Sequence, residues 1–241
     1  MDPKSFYNEA MPQKYGSDYE AGRWRANPLL AAQYETLADM MRREVMPLVH
    51  GAQRVVEIGP GPGTWTKFLL EANPSAAYTL IDISREMLSR AREALKDVPS
   101  VAFVESDLLS YEPEGRFDFF FSSRAIEYMP DKRAVCEKIA ELLEEGGQGA
   151  LVTKTPKPLF DRLCGRGNRS LHSGQIAPAE LRHLLENAGL KVEKIRIATA
   201  TVPGLGSATL NRLVYALLKR IPLAFPLTLF AESYLVTFRR P

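Results

Sequence analysis

The sequence is poor in residues that often carry chemistry alone, with two cysteines and three histidines among 241 positions. Cys136 and Cys164 are too few and too far apart for a disulfide framework or a thiolate metal cluster, so a reducing, cytoplasmic setting is expected. One-sided charge is also lacking: 31 Lys and Arg face 29 Asp and Glu, a formal net charge of +2. That balance argues against a general nucleic-acid binder. The opening Met1-Asp2-Pro3-Lys4 has no apolar core of a secretory signal. The longest apolar run, 221–231, is broken by Pro222 and Pro226 and is too short to span a bilayer. Internal repeats and low-complexity tracts are missing too, so fibrous, solenoid and disordered classes fall away.

What is present is the composition of a soluble globular domain, 45% hydrophobic and 25% charged. Its charge is unevenly spread: Lys154–His172 and Gly204–Pro241 carry +4 each and the remainder −6. Residues 1–27 alternate polar and aromatic side chains, and helical apolar spacing follows over 28–47. Strand-like runs then alternate with amphipathic ones. Strands are predicted at 53–58, 77–81, 101–104, 117–121 and 148–152, with helices at 64–71, 85–95 and 132–144, the last closed by Gly146-Gly147. A helix over 178–188 and strands over 191–202 and 234–238 complete the chain. Alternation of this kind predicts βαβ units on a parallel sheet.

The strongest local signal is the run Val55-Val56-Glu57-Ile58-Gly59-Pro60-Gly61-Pro62-Gly63-Thr64, a strand feeding a glycine-rich turn that opens a helix. Such a turn lets a ligand lie against the main chain and meet free N–H groups. A P-loop is excluded, because Gly63 is followed by Thr64-Trp65-Thr66 rather than by Lys and Ser or Thr. The dinucleotide fingerprint G-x-G-x-x-G fits poorly, and Glu57 would repel a pyrophosphate while helping to hold an ammonium group. Asp82, about 20 residues past the loop at a strand end, can accept from ribose hydroxyls. Asp107, past the third strand, can accept from an adenine amino group. Either acid alone is equally explained as a helix cap or a solvated loop residue.

The ordered set Glu57-x-Gly59-x-Gly61-x-Gly63, Asp82-Ile83-Ser84-x-x-Met87-Leu88, Asp107-Leu108, Phe117-Asp118-x-x-x-Ser122-Ser123 and Leu143-x-x-Gly146-Gly147 resembles the class I S-adenosylmethionine-dependent methyltransferases. Within that class the chain resembles the small-molecule and lipid-type branch that includes the quinone-biosynthesis C-methyltransferases. The resemblance covers residues 50–155 and is silent about the acceptor. It implies a Rossmann-like, doubly wound α/β sheet of seven strands, order 3-2-1-4-5-7-6, with strand 7 antiparallel. Along the chain, a helical cap is expected over 1–50 and a class I methyltransferase domain over 51–241, with an acceptor loop at 154–177 and an insertion at 203–232. S-adenosylmethionine is the implied cofactor. Glu57, Gly59, Gly61, Gly63 and Thr64 would surround its methionine portion with Ser123, Asp82 its ribose, Ile83 and Met87 its adenine faces, and Asp107 and Leu108 the adenine edge. Tyr15, with Tyr19 and Trp24, would close over it, although packing of the N-terminal segment explains these aromatics equally well.

Methyl transfer needs an aligned nucleophile and exclusion of water. Glu127 is the first candidate for a base or acceptor-orienting carboxylate, with Tyr128 beside it, and its bland alternative is a salt bridge to Arg124 on the same turn. His172, in the loop after strand 5, is a second candidate base, and a solvated loop residue is its bland alternative. The Asn/Asp-Pro-Pro-Tyr/Phe run of amino-methylating enzymes, the Pro-Cys pair of cytosine methylators and a metal-binding acid set are all missing, so no metal is inferred. Arg162, Arg166 and Arg169 suggest an anionic acceptor, and a solvated loop is their bland alternative. In the insertion, Leu210, Leu213, Val214, Leu217, Leu218 and Ile221 form a stripe expected to pack on the sheet, with peripheral membrane contact through 205–230 as the alternative. The expected function is methyl transfer to oxygen or nitrogen of a small-molecule or lipid-linked acceptor, with no nucleic-acid partner. An NAD-dependent oxidoreductase or epimerase, and a non-catalytic S-adenosylmethionine-binding module, remain the rival readings.

Overall fold

The computed structural model describes residues 3–16, 18–156, 174–202 and 205–241. Seven strands form one sheet: β1 (Arg54–Ile58), β2 (Ala77–Asp82), β3 (Val101–Glu105), β4 (Phe117–Ser123), β5 (Leu143–Lys154), β6 (Lys191–Ala200) and β7 (Ala231–Arg239). Their order is β3-β2-β1-β4-β5-β7-β6. The first five pair in parallel, while β7 is antiparallel to both β5 and β6. The expected Rossmann-like doubly wound sheet is therefore present, strand 7 included.

Residues on the central strands alternate between two apolar layers, as the two-residue side-chain period dictates. Val56, Phe120, Leu151 and Val236 join the core on one face, and Val55, Phe119, Phe121, Val152 and Leu235 the core on the other. Burial on both faces explains why these strands read as continuous apolar runs. Helices Thr66–Ala72, Arg85–Ala94, Lys132–Leu142 and Pro178–Asn187 cover the sheet. Ser84 and Asp131 open the second and third of these by accepting from the Met87 and Ala134 backbone N–H groups.

Three local expectations are corrected. The helix predicted over 132–144 ends at Leu142, and Gly146-Gly147 lie inside β5 rather than capping it. Leu143 already pairs with Phe117, and the extra residues before Gln148 are taken up by an irregularity in the β4–β5 register, where Gly146 adopts φ +79°. The helix after the glycine loop starts at Thr66 rather than Thr64, because the loop needs one more turn before helical bonding begins. Finally, the helix Ala208–Leu218 does not bury its whole stripe. Val214 and Leu218 pack on the core, whereas Leu210, Leu213, Leu217 and Ile221 are exposed.

The N-terminal residues form helical turns over 3–15 and 21–25, followed by the helix Pro28–Met40. An aromatic cluster fastens this segment to the sheet layer: Trp24 meets Trp65 edge-on at 5.6 Å, and Tyr34 stacks on Trp65 at 5.5 Å. Among the described residues, no helix is long and apolar enough to cross a membrane.

Candidate active site

A sheet whose order reverses between β1 and β4 leaves a crevice at the carboxyl ends of those strands. A cavity of about 690 Å³ lies there, within the size range of small-molecule clefts. Its floor is the turn after β1. Gly59 has φ +66°, and a Cβ there would sit 2.4 Å from the Cβ of Ala125, so the close approach of the turn after β4 and the dihedral both demand glycine. Gly61 has φ +57° with open space where a side chain would point, which leaves its backbone bare toward the cavity.

Asp82 ends β2 and lines the cavity. Its Oδ2 accepts from the Gly61 N–H at 3.3 Å and its Oδ1 from the Ser84 N–H at 2.9 Å, so the glycine turn and the following helix both orient it. Burial pushes its carboxyl up to about 6 despite these bonds. Asp107 also lines the cavity while accepting from the Leu109 N–H at 2.8 Å, so it caps a turn and faces the cleft at once. Thr64, Ile83, Met87, Leu108, Ser123, Tyr15 and Tyr128 lie in the wall as well.

Two of the residues expected around the cofactor lie elsewhere. Gly63 turns toward Leu95, whose Cδ1 would be 3.4 Å from an added Cβ, and does not line the cavity. Glu57 sits beneath the loop with 1% exposure, accepting from the Thr66 hydroxyl at 2.8 Å. Its side chain points into the layer below because β1 alternates, and the cleft lies above the strand end. Burial, reinforced by the nearby Asp82 charge, drives Glu57 from its ordinary 4.5 to about 8.

That shift has a measurable consequence. An acid whose folded pKa is raised binds more protons folded than unfolded between the two values, so stability falls as pH climbs from 4.5 to 8. Asp82 contributes only to the lower part of this window, below about 6. Glu57→Gln keeps a neutral partner for Thr66 at every pH, so the ligand-free variant should lose the decline in melting temperature between pH 6 and 8. The gain at pH 8 is expected to be on the order of 4 kcal/mol. An identical pH slope in variant and parent would overturn this.

Glu127 is corrected as a residue facing an acceptor. It is fully buried and stands behind the cavity wall, 2.6 Å from the Arg124 Nε, with Oε1 accepting from the Lys154 backbone N–H at 3.1 Å. The salt bridge foreseen as its alternative is thus formed. Arg124 adopts φ +67° and donates its backbone N–H to the Val152 carbonyl at 2.8 Å. Burial would lower its guanidinium pKa, but the Glu127 and Glu232 carboxylates outweigh that and raise it, so it stays charged. His172 lies outside the described residues, as do Arg162, Arg166, Arg169 and Cys164.

The structure also brings in residues that sequence spacing did not mark. Tyr7 reaches across 121 positions to Tyr128, hydroxyl to hydroxyl at 2.8 Å. Burial, with Tyr128 beside it, raises the Tyr7 hydroxyl well above its usual range, so the pair remains protonated. Arg23, Arg124 and Lys154 all line the cleft. Burial lowers the Lys154 pKa, and the neighbouring Arg124 charge lowers it further, as does that of Arg23, which places three cations in one electrostatic neighbourhood. The N-terminal segment is tied over the opening: Asn8 Oδ1 accepts from the Ser84 hydroxyl at 2.8 Å, the Gly16 carbonyl from Arg90 at 2.9 Å, and Glu20 from the Thr64 hydroxyl. The aromatic richness of residues 6–24 was the one signal in the sequence that could have pointed to Tyr7.

A bare glycine backbone, a ribose-competent carboxylate at the β2 end and an unpartnered Ser123 hydroxyl, buried in the wall, meet in a single cleft. This donor set suits a nucleoside bearing an amino-acid arm. Residues 55–147 match the family model described as a methyltransferase domain. That match, with the sheet order and the antiparallel seventh strand, agrees with the resemblance of the chain to the class I S-adenosylmethionine-dependent methyltransferases rather than with the oxidoreductase reading, and does not single out the quinone-biosynthesis branch.

Its relatives include malonyl-[acyl-carrier protein] O-methyltransferase 1 of Ilyobacter polytropus, 29% identical over 137 residues, 54% of this chain and 51% of that one. Trans-aconitate 2-methyltransferase of Methylobacterium nodulans is 36% identical over 123 residues, 48% of this chain and 46% of that one. The chain thus spans about half the length of these curated relatives. Magnesium protoporphyrin IX methyltransferase of Synechocystis PCC 6803, solved with bound SAH, superposes with a TM-score of 0.69 over 99% of this chain and 98% of that one, at 16% identity. That likeness is one of fold.

Proposed function

We propose that the protein transfers a methyl group from S-adenosylmethionine to a carboxylate oxygen of a small anionic acceptor. The observation that carries the reading is the cluster of Arg23, Arg124 and Lys154 in the cleft wall, beside the Tyr7–Tyr128 pair. The matched relatives named for malonyl-[acyl-carrier protein] and trans-aconitate are consistent with it. When bound, S-adenosylmethionine supplies an electrophilic methyl on a sulfonium centre. Gly59 and Gly61 would present backbone to the methionine arm, Asp82 would accept from the ribose, Ile83 and Met87 would flank the base, and Asp107 would take its edge.

Toward the acceptor, fixed cations would orient a nucleophile that needs no general base. A carboxylate is already ionised at neutral pH, so orientation and desolvation, rather than proton removal, are the chain's tasks. Arg124, held by Glu127, and Lys154 would bind one carboxylate group. The protonated Tyr7 and Tyr128 hydroxyls would donate to a second polar group of the acceptor. N-terminal residues 3–25 would exclude water, acting as a cap on the domain.

The test is a labelled-methyl screen of di- and tricarboxylic acids against matched amines and alcohols. A product whose label is released as methanol by mild alkali supports a carboxyl ester. Alkali-stable label on an amine or ring carbon would overturn the reading. S-adenosylmethionine binding without turnover on any acceptor would favour the non-catalytic module.

A further inference from the structure

Outside the cleft, the described residues gather nearly all their exposed large apolar side chains in one segment, between Leu205 and Leu229, and Leu109 is the exception. On the helix Ala208–Leu218, Leu213 is 54% and Leu217 66% exposed, and beyond it Phe225 is 82% exposed. The opposite side of the same helix is already occupied, since Tyr215 is buried and Val214 and Leu218 pack on the core. The helix therefore has a second apolar face that the fold itself does not use.

The charge of this segment is one-sided. From 205 to 231 there is no Asp or Glu, while Arg212, Lys219 and Arg220 are basic. Arg212 and Lys219 lean on Glu35 and Asp39 of the neighbouring helix at 2.6 and 3.3 Å, and Arg220 is exposed beside the apolar face. Apolar side chains bordered by cations match an anionic bilayer surface, where the rings and leucines enter the headgroup boundary and the bases meet lipid phosphates. A second copy fits less well, because residues 205–231 offer no Asp or Glu of their own to meet Arg220 across a two-fold contact.

We propose that the surface formed by 205–229 docks the protein on an anionic lipid membrane. The segment leaves β6 at Ala200 and rejoins the sheet at Ala231, closed by a bond from the Thr201 N–H to the Phe230 carbonyl at 2.8 Å. Ser233 pairs there with Lys154, a residue of the cleft wall, so the docking segment is rooted at the end of the sheet that bears the cleft. The proposal does not depend on which acceptor is methylated.

Sedimentation of the whole protein with vesicles tests it directly. Binding is expected to vesicles of equal phosphatidylglycerol and phosphatidylcholine, at least tenfold weaker to phosphatidylcholine alone, and reduced by salt. The double variant Leu213→Asp/Leu217→Asp should lower binding at least tenfold with S-adenosylhomocysteine affinity unchanged, and Arg220→Glu should lower it severalfold. Failure of the parent protein to sediment with the anionic vesicles, or full retention by the double variant, overturns the proposal. A dimer in solution that the double variant disperses would assign the face to a second copy, and overturns it equally.

Discussion

Asp82→Ala is expected to weaken S-adenosylhomocysteine binding roughly 100-fold, measured by calorimetric titration, while leaving the protein folded. The carboxylate stands at the β2 end in the cleft wall, already oriented by the Gly61 and Ser84 backbone N–H groups. Two ribose hydroxyls donating to it make charge-assisted bonds worth about 1.5 to 3 kcal/mol each, and losing about 3 kcal/mol in all is about two orders of magnitude in affinity. Stability should hardly suffer, because burial already raises this carboxyl to about 6 and its removal relieves that cost. The sign of the pH effect follows. Only the ionised form accepts from both hydroxyls, so affinity should fall on acidification below about pH 6, approaching tenfold per unit. Asp82→Asn should bind weakly with no such pH dependence. Parent-like affinity in Asp82→Ala would remove Asp82 from the cofactor site.

Arg124 gives the second large effect, one that separates packing from acceptor binding. Arg124→Leu removes the guanidinium 2.6 Å from a fully buried Glu127, and stripping one partner from a buried pair costs on the order of 3 kcal/mol. A marked drop in melting temperature is expected. Replacing both, as Arg124→Leu/Glu127→Leu, removes the stranded charge and should recover most of that stability, since buried pairs are often no better than apolar side chains of similar volume. Acceptor handling should not recover. If Arg124 binds the acceptor carboxylate, the double variant keeps parent-like S-adenosylhomocysteine affinity while KM for the acceptor rises at least tenfold. Parent-like KM in the double variant would reduce Arg124 to a structural residue.

The two experiments probe readings of different origin. Asp82 was visible from the chain alone, because a strand end about 20 residues past a glycine turn is a local arrangement that βαβ geometry carries to one place. Arg124 entered the sequence reading only as a partner for Glu127. Its importance comes from β4 and β5 lying side by side, so that Val152 takes its backbone N–H and Lys154 stands next to its charge.

From the sequence alone came the seven strands to within a few residues, the glycine turn, the ordered acids and, through family resemblance, the sheet order. These are legible because strand burial and turn chemistry are written in side-chain periods of two and in residues such as Gly59 whose dihedral few others accept. Tertiary structure alone decided which side chains of the short turn Ile126–Tyr128 face inward. Glu127 and Tyr128 are adjacent in the chain, yet one is sealed behind the wall and the other meets Tyr7 across 121 residues. It also decided that Leu213 and Leu217 stay in solvent although their spacing suited a buried stripe. In each case the local pattern states only that a face is apolar or charged. What covers that face is set by segments distant in sequence, whose arrival depends on the packing of the whole sheet.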